Sequence, residues 1–432
     1  MQKNKKQILG RSMSLIIEKI RIPQERHLQK HMEGSLGAEL IGELLGYKDR
    51  YGGEERDKGN RQAKAENFPL TRSSGGHIYR MCKDVQKKLG LEKLKIAYFL
   101  SHNPEFNSAA DFSYHPDTPH KVIINSGLVE QLEDERELRF VVGHEIGHLL
   151  SGIPFTRVFR FIYPEFNNVP RFLRGTYDLW RKLNEISCDR VGFLVVGDLE
   201  AALRAQFRLY SGIDMNRLRI APERFAATVN KLVKEIPETA GSEFNTHPIS
   251  PLRTKALTIF GQSKTWKALQ SGRPIPKKDK VLEEGTAKIA EQLSISPHRE
   301  IDRASLDFLG AAGYKVMVSD GPASREEYIY LLNRLAQYTF WPKDQVDAAL
   351  KKKGGDIDKI LSDSARYISR NHPAVGKDLV YNLIELILSD RRLHRKELDI
   401  LFDIAEKRMK IPHREVVDLV LQCVGERFCP LK

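Results

Sequence analysis

Long apolar runs are missing from this chain. Its longest uninterrupted stretches, Val191–Gly197 and Phe308–Tyr314, reach only seven residues counting glycine. About 18 to 20 are needed to span a bilayer, so no transmembrane helix is expected. Cysteine is scarce too. Cys82, Cys188, Cys423 and Cys429 are four among 432 residues and form no CxxC pair, which excludes a disulfide framework and a zinc knuckle and points to a reducing, cytoplasmic setting. The N-terminus opens on a basic cluster, but polar residues interrupt its apolar part and no small-residue cleavage site follows, so no secretory signal is read. Acidic charge is in deficit, with 57 Asp and Glu against 70 Lys and Arg and a formal net charge of +13. Residues 1–30 alone carry eight basic and two acidic side chains. Such a segment can touch an anionic membrane surface peripherally, although a solvated basic tail is the plainer reading. No nucleic-acid motif accompanies it, and no nucleic-acid partner is expected.

What the chain does contain is ordinary globular material. A hydrophobic share of 41% and a mean hydropathy of −0.43 suit a folded protein, and 432 residues suggest about three domains. Residues 1–66 read as a basic, loosely attached arm with a helix around Leu28–Leu45. From Phe68 the pattern turns globular, with a helix over Gly76–Lys88 and strand character in KIAYFL, NSAADFSY and HKVIIN. Glu133–Leu150 then predicts a long helix with an apolar stripe of Leu138, Val142, Ile146 and Leu149. Further helices are expected over Tyr177–Val196, Leu199–Leu209 and Pro222–Glu235. Residues 266–300, which include SGRPIPKKDK, read as a linker. The expected fold class is α+β: a helix-rich domain with a small sheet over 67–265, followed by an all-α accessory domain over 301–425 and a tail at 426–432.

The strongest chemical signal is His144-Glu145-Ile146-Gly147-His148. Four residues turn a helix by about 400°, so both imidazoles project from one side and can reach a single ion. A catalytic zinc takes a third protein ligand and keeps a position open for water. The metzincin continuation would need glycine three and histidine six residues after His148, and Ser151 and Pro154 stand there instead. Downstream, Glu185 and Asp189 lie four apart on a segment with helical pattern. Glu185 is the candidate third ligand of one zinc ion, and Asp189 the candidate partner that orients the His144 ring. Structural zinc without catalysis stays open as an alternative, and it leaves Glu145 without a purpose. His27 and His31 also stand four apart but lack a glutamate between them, and Cys188 reads as buried packing.

Over Glu66–Phe260 the sequence resembles the HtpX-like and CAAX-prenyl-protease-related zinc endopeptidases of the gluzincin class. The resemblance rests on Asn107-Ser108-Ala109-Ala110, on VIINSGLVEQLEDERELRFVVGHEIGH, on EISCDRVGFLVVGD and on Thr246-His247-Pro248 with Arg253, in that order. It implies an endopeptidase in which Glu145 is the general base and His247 stabilises the oxyanion. It also implies that the strand near Asn107 and Ala109 binds an extended peptide, with Arg253 at the substrate side. Unfolded protein segments are then the natural substrates. The membrane-spanning segments of many such proteins are missing here. The rival reading is a catalytically silent zinc fold serving as a stress-response scaffold.

The C-terminal part repeats itself at an offset of 70 residues. Ser319, Asp320, Arg325, Glu327, Leu331, Pro342 and Val346 recur as Ser389, Asp390, Arg395, Glu397, Leu401, Pro412 and Val416, which predicts two similar helix pairs sharing a core. The acidic spacing resembles the tellurite-resistance TerB-like helical domains, in which such positions imply a metal site. Ser324-x-x-Glu327 is equally a capping box, a helix start that satisfies its own amides. Oligomeric state is not legible.

Overall fold

The computed structural model describes residues 13–36, 63–111, 118–131, 134–151, 171–235, 250–293, 299–335, 338–339, 343, 346, 354–390, 392 and 394–428. The chain divides into two compact units, the first built from residues up to Leu293 except Val169–Thr176, the second from Ser294 onward together with that short segment. The α+β expectation holds: helices predominate and there is one small mixed sheet. No helix among the described residues is long and apolar enough to cross a membrane.

The first unit begins with a helix over 13–20 and with α1 (Pro23–Leu36). It continues through β1 (Asn67–Leu70), α2 (Gly76–Lys88), β2 (Ile96–Ser101), β3 (Ser108–Asp111), β4 (His120–Asn125), α3 (Ser126–Glu130) and α4 (Glu135–Leu150). Then follow α5 (Arg171–Val196), which belongs to this unit from Tyr177 on, α6 (Leu199–Ser211), α7 (Pro222–Glu235), α8 (Ser250–Gln262), α9 (Lys264–Gln270) and α10 (Lys280–Leu293). The strands run in the order β1-β2-β4-β3, with β2 and β4 parallel and the outer pairs antiparallel. Val122 and Ile124, two apart on β4, are fully buried and face the same core as Leu138, Val142 and Ile146 of α4, as the period of two in strands requires. This leaves β3 at an edge, with Ala109 opposite Ile123.

β1 escapes sequence reading because it is four residues long and contains Pro69, which lacks an amide hydrogen and is tolerated only where no ladder bond is needed, here at the other edge. Two other expectations are corrected. The segment 266–300 is no linker in its first part, because it forms α9 and α10, and Trp266 stacks on Phe193 at 4.2 Å in the core. The proline- and lysine-rich stretch that suggested a linker occupies only the turn at 271–279. Nor are residues 13–36 loosely attached. Ile17, Ile20, Ile22, Leu28 and Met32 are buried, and the Arg190 guanidinium donates to the Ile20 carbonyl at 2.8 Å and to Thr286 Oγ1 at 2.9 Å. Their lysines and glutamates give a polar composition, while the apolar positions keep a helical period and pack.

α4 and α5 approach closely through small residues. A Cβ on Gly147 would lie 3.1 Å from Cys188 Cα, and one on Gly192 would lie 2.5 Å from the Phe140 carbonyl oxygen. Larger side chains at these positions would push the helices apart and separate the histidines of one from the acids of the other. The start of α4 is fixed by Asp134, whose carboxylate accepts from the Arg136 amide, with Glu135 and Glu137 in the first turn complementing the helix dipole.

The second unit comprises α11 (Glu300–Met317), α12 (Arg325–Leu335), α13 (Gly354–Asn371), α14 (Pro373–Ile387), α15 (Arg395–Phe402) and α16 (His413–Phe428). α12 and α15 start 70 residues apart, as the repeat requires, and each carries its third-position glutamate inward. In the first copy Ser324 and Glu327 form a reciprocal cap: the Ser324 amide donates to Glu327 Oε2 at 2.8 Å and the Glu327 amide to Ser324 Oγ at 3.1 Å. In the second, the His394 amide donates to Glu397 Oε2 at 2.9 Å.

Candidate active site

Along α4, the apolar stripe faces the sheet while His144, Glu145 and His148 face a cleft of about 1010 Å³. Its walls include Asn107, Ser108, Ala109 and Ala110 on one side and Glu185 of α5 on the other. The Nε2 atoms of His144 and His148 lie 3.1 Å apart, and Glu185 reaches them at 3.5 and 3.4 Å. One ligand atom from each of these three residues falls within 4.8 Å of the others. Two imidazole nitrogens and one carboxylate form the donor set of a catalytic zinc site with a position left over. The three residues therefore fit a divalent cation.

Both rings are held from behind. Asp189, fully buried, meets His144 Nδ1 at 2.9 Å. Burial acts to raise the pKa of Asp189, but the Arg253 guanidinium and His144 outweigh it and hold the carboxyl below its ordinary value. An ionised Asp189 only accepts, so His144 donates from Nδ1 and Nε2 is the ring atom that faces Glu185. In the free ring, burial opposes a charge on His144, yet the bonds to Asp189 and Glu185 raise its pKa to about 10. Gln206 Nε2 donates to the other Asp189 oxygen at 3.0 Å. His148 is held differently, with Asn184 Oδ1 3.0 Å from its Nδ1.

Arg253, expected at the substrate side, lines the same cleft, and carboxylates of the site hold its guanidinium. It forks onto Asp189 at 2.7 and 2.9 Å and reaches Glu185 at 3.2 Å. Glu145 lines the same cleft, and Ser108 Oγ donates to its Oε1 at 2.8 Å. His247 lies outside the described residues. Cys188 is buried, and burial pushes its thiol pKa well above the ordinary value.

Residues 75–162 match the sequence model of Peptidase family M48. The matched segment runs from α2 through α4, the helix that carries the histidine pair. With it the chain is a metalloprotease, a hydrolase whose substrates are proteins or peptides. No curated protein was found that matches the chain. Glu185, Asp189 and Arg253 all lie beyond the matched segment, and the fold brings them to it. Sequence reasoning missed Ser108 as a partner of Glu145, and Asn184 and Gln206 as supports. None of the three carried a local signal: Asn184 stands directly before Glu185, and adjacent helical residues point about 100° apart.

Proposed function

We propose that this chain is a zinc-dependent endopeptidase that hydrolyses peptide bonds in unfolded or extended protein segments, with His144, His148 and Glu185 as ligands of a single zinc ion. The observation that carries the reading is the convergence of these three residues in the cleft that Glu145 lines. Zinc bound there supplies Lewis acidity to the scissile carbonyl and acidity to water. Glu145 takes the proton of the attacking water and returns it to the leaving amine. The Ser108 hydroxyl holds one carboxylate oxygen of Glu145 and leaves the other to accept that proton. The free edge of β3, with Asn107 and Ala109, pairs with an extended substrate through backbone bonds, which favours unfolded chain over any particular sequence. His247 is the oxyanion donor of this proposal. Asp189 acts behind the ligands, and Arg253 stands at the substrate side of the cleft while its guanidinium holds Asp189 and Glu185. The TerB-like reading of the helical unit rests on its repeated acidic positions, and a cytoplasmic setting on the free thiols of Cys82, Cys188 and Cys423.

The test is cleavage of casein by the wild-type chain and by Glu145→Ala, each with its zinc content measured. Equal zinc in both and a loss of at least about a hundredfold in the variant supports the reading. Equal zinc with no cleavage by either would favour a scaffold.

A further inference from the structure

We propose that Glu25, on α1 and outside the matched peptidase segment, is a positioning residue for the metal site: through Asn184 it fixes which nitrogen of His148 carries the proton. Glu25 is fully buried, and every partner it has in the structure donates to it. Its Oε1 accepts from Arg21 Nη2 at 2.7 Å and from Asn184 Nδ2 at 2.9 Å. Its Oε2 accepts from Ser187 Oγ at 2.5 Å and from Arg21 Nε at 3.4 Å.

A carboxylate paired with a guanidinium offers no hydrogen, so the only group Asn184 can present to it is its NH2. That choice turns Asn184 Oδ1 toward His148 Nδ1, 3.0 Å away. A carbonyl oxygen accepts, so the proton sits on Nδ1 and the Nε2 lone pair faces Glu185 and His144. Reversing the amide would set two acceptors, Asn184 Oδ1 and Glu25 Oε1, against each other in a buried pocket. It would also move the His148 proton to Nε2, where it blocks metal binding. The Cys188 thiol lies against the same pair, donating to Asn184 Oδ1 at 3.6 Å with its Sγ 3.3 Å from His148 Nδ1, and Glu25 is the charged, acceptor-only group that holds the amide in this sense.

Anchoring alone does not need this geometry. The Ile22 amide donates to Ser187 Oγ at 3.0 Å and Arg190 Nη1 donates to the Ile20 carbonyl at 2.8 Å, so the segment that leads into α1 is tied to α5 without Asn184. His144 has a charged acceptor of its own in Asp189. His148 has a neutral amide that can face either way, and the carboxylate behind it removes the ambiguity. The inference rests on His148 being a ligand, as proposed above.

The experiment compares full-length wild type, Glu25→Gln and the double variant Glu25→Gln/Asn184→Asp. Zinc affinity is measured by chelator competition, and the His148 tautomer in metal-free protein by ring-nitrogen NMR, with assignment by loss of the signal in His148→Gln. Glu25→Gln can donate as well as accept, so the amide is released. Zinc affinity should fall about 10- to 100-fold, and an Nε2-protonated population of His148 should appear. The double variant exchanges carboxylate and amide, restoring an acceptor-only group at His148, and should recover affinity to within a few-fold. Unchanged affinity and unchanged tautomer in Glu25→Gln would overturn the proposal. So would a loss that tracks a lowered melting temperature and is not recovered by the exchange. If wild type binds no zinc, the ligand assignment fails, and the tautomer measurement still decides the role of Glu25.

Discussion

Buried carboxylates meet opposite fates in the two units of this chain. In the peptidase unit, Asp189 is fully buried and yet held below its ordinary pKa, because a guanidinium forks onto both of its oxygens and an imidazole lies against it. In the helical unit, Glu397 is also screened from solvent, less deeply, and faces another carboxyl, Glu327, with Asp320 nearby. Burial and these like charges raise its pKa to about 7, against one opposing bond from the His394 amide. Burial sets how costly a charge is, and the sign of the nearest partner sets whether the charge survives. The first arrangement keeps acceptor-only groups behind the histidines. The second sets the inward glutamates of the two repeats against each other.

The largest effect should come from removing the cation in the first arrangement. Arg253→Met leaves Asp189 buried without its countercharge and should cost about 3–5 kcal/mol in urea unfolding of the full chain. A variant that unfolds at the wild-type urea midpoint would show that Arg253 is not what keeps Asp189 ionised. In the second arrangement the slope with pH is reversed. Asp189, with its folded pKa lowered, contributes stability above pH 3.8 that is lost as pH falls through its folded value. Glu397, with its folded pKa raised from 4.5 to about 7, contributes stability that is full below pH 4.5 and lost as pH rises through 7. Glu397→Gln stays neutral throughout, so its stability relative to wild type should grow between pH 5 and pH 8, by about 1 kcal/mol after allowing for screening by water. Urea midpoints of both proteins at the two pH values measure this, and a constant difference would contradict the carboxyl pair.

The same contrast marks what the sequence could reveal. His144 and His148, and Glu185 and Asp189, were legible because spacing of four on a helix places side chains together without any knowledge of the fold. The strands over KIAYFL and HKVIIN were legible by alternation and β-branched content. Glu25 was not, because a glutamate in a lysine-rich segment looks solvated, and only the packing of Ile17, Ile20 and Leu28 carries it inside. Arg253 was noticed for its position after Thr246-His247-Pro248, but its partner lies 64 residues earlier on another helix, a distance that no local pattern spans. Residues 266–293 were misread because two prolines and a run of lysines outweighed the helical periodicity on either side of the turn.

The smallest expected effect separates capping from the carboxyl pair inside the helical unit. Ser324 returns a bond to the Glu327 amide, whereas in the second copy His394 stands at that place. Ser324→Ala deletes only this hydroxyl, since the amide of residue 324 still donates to Glu327 Oε2. It should lower stability by about 1 kcal/mol, the ordinary worth of an N-cap, and lower it equally at pH 5 and pH 8. A loss concentrated at one pH would mean that the hydroxyl also holds the two glutamates in register, and the cap and the carboxyl pair would then be one device rather than two.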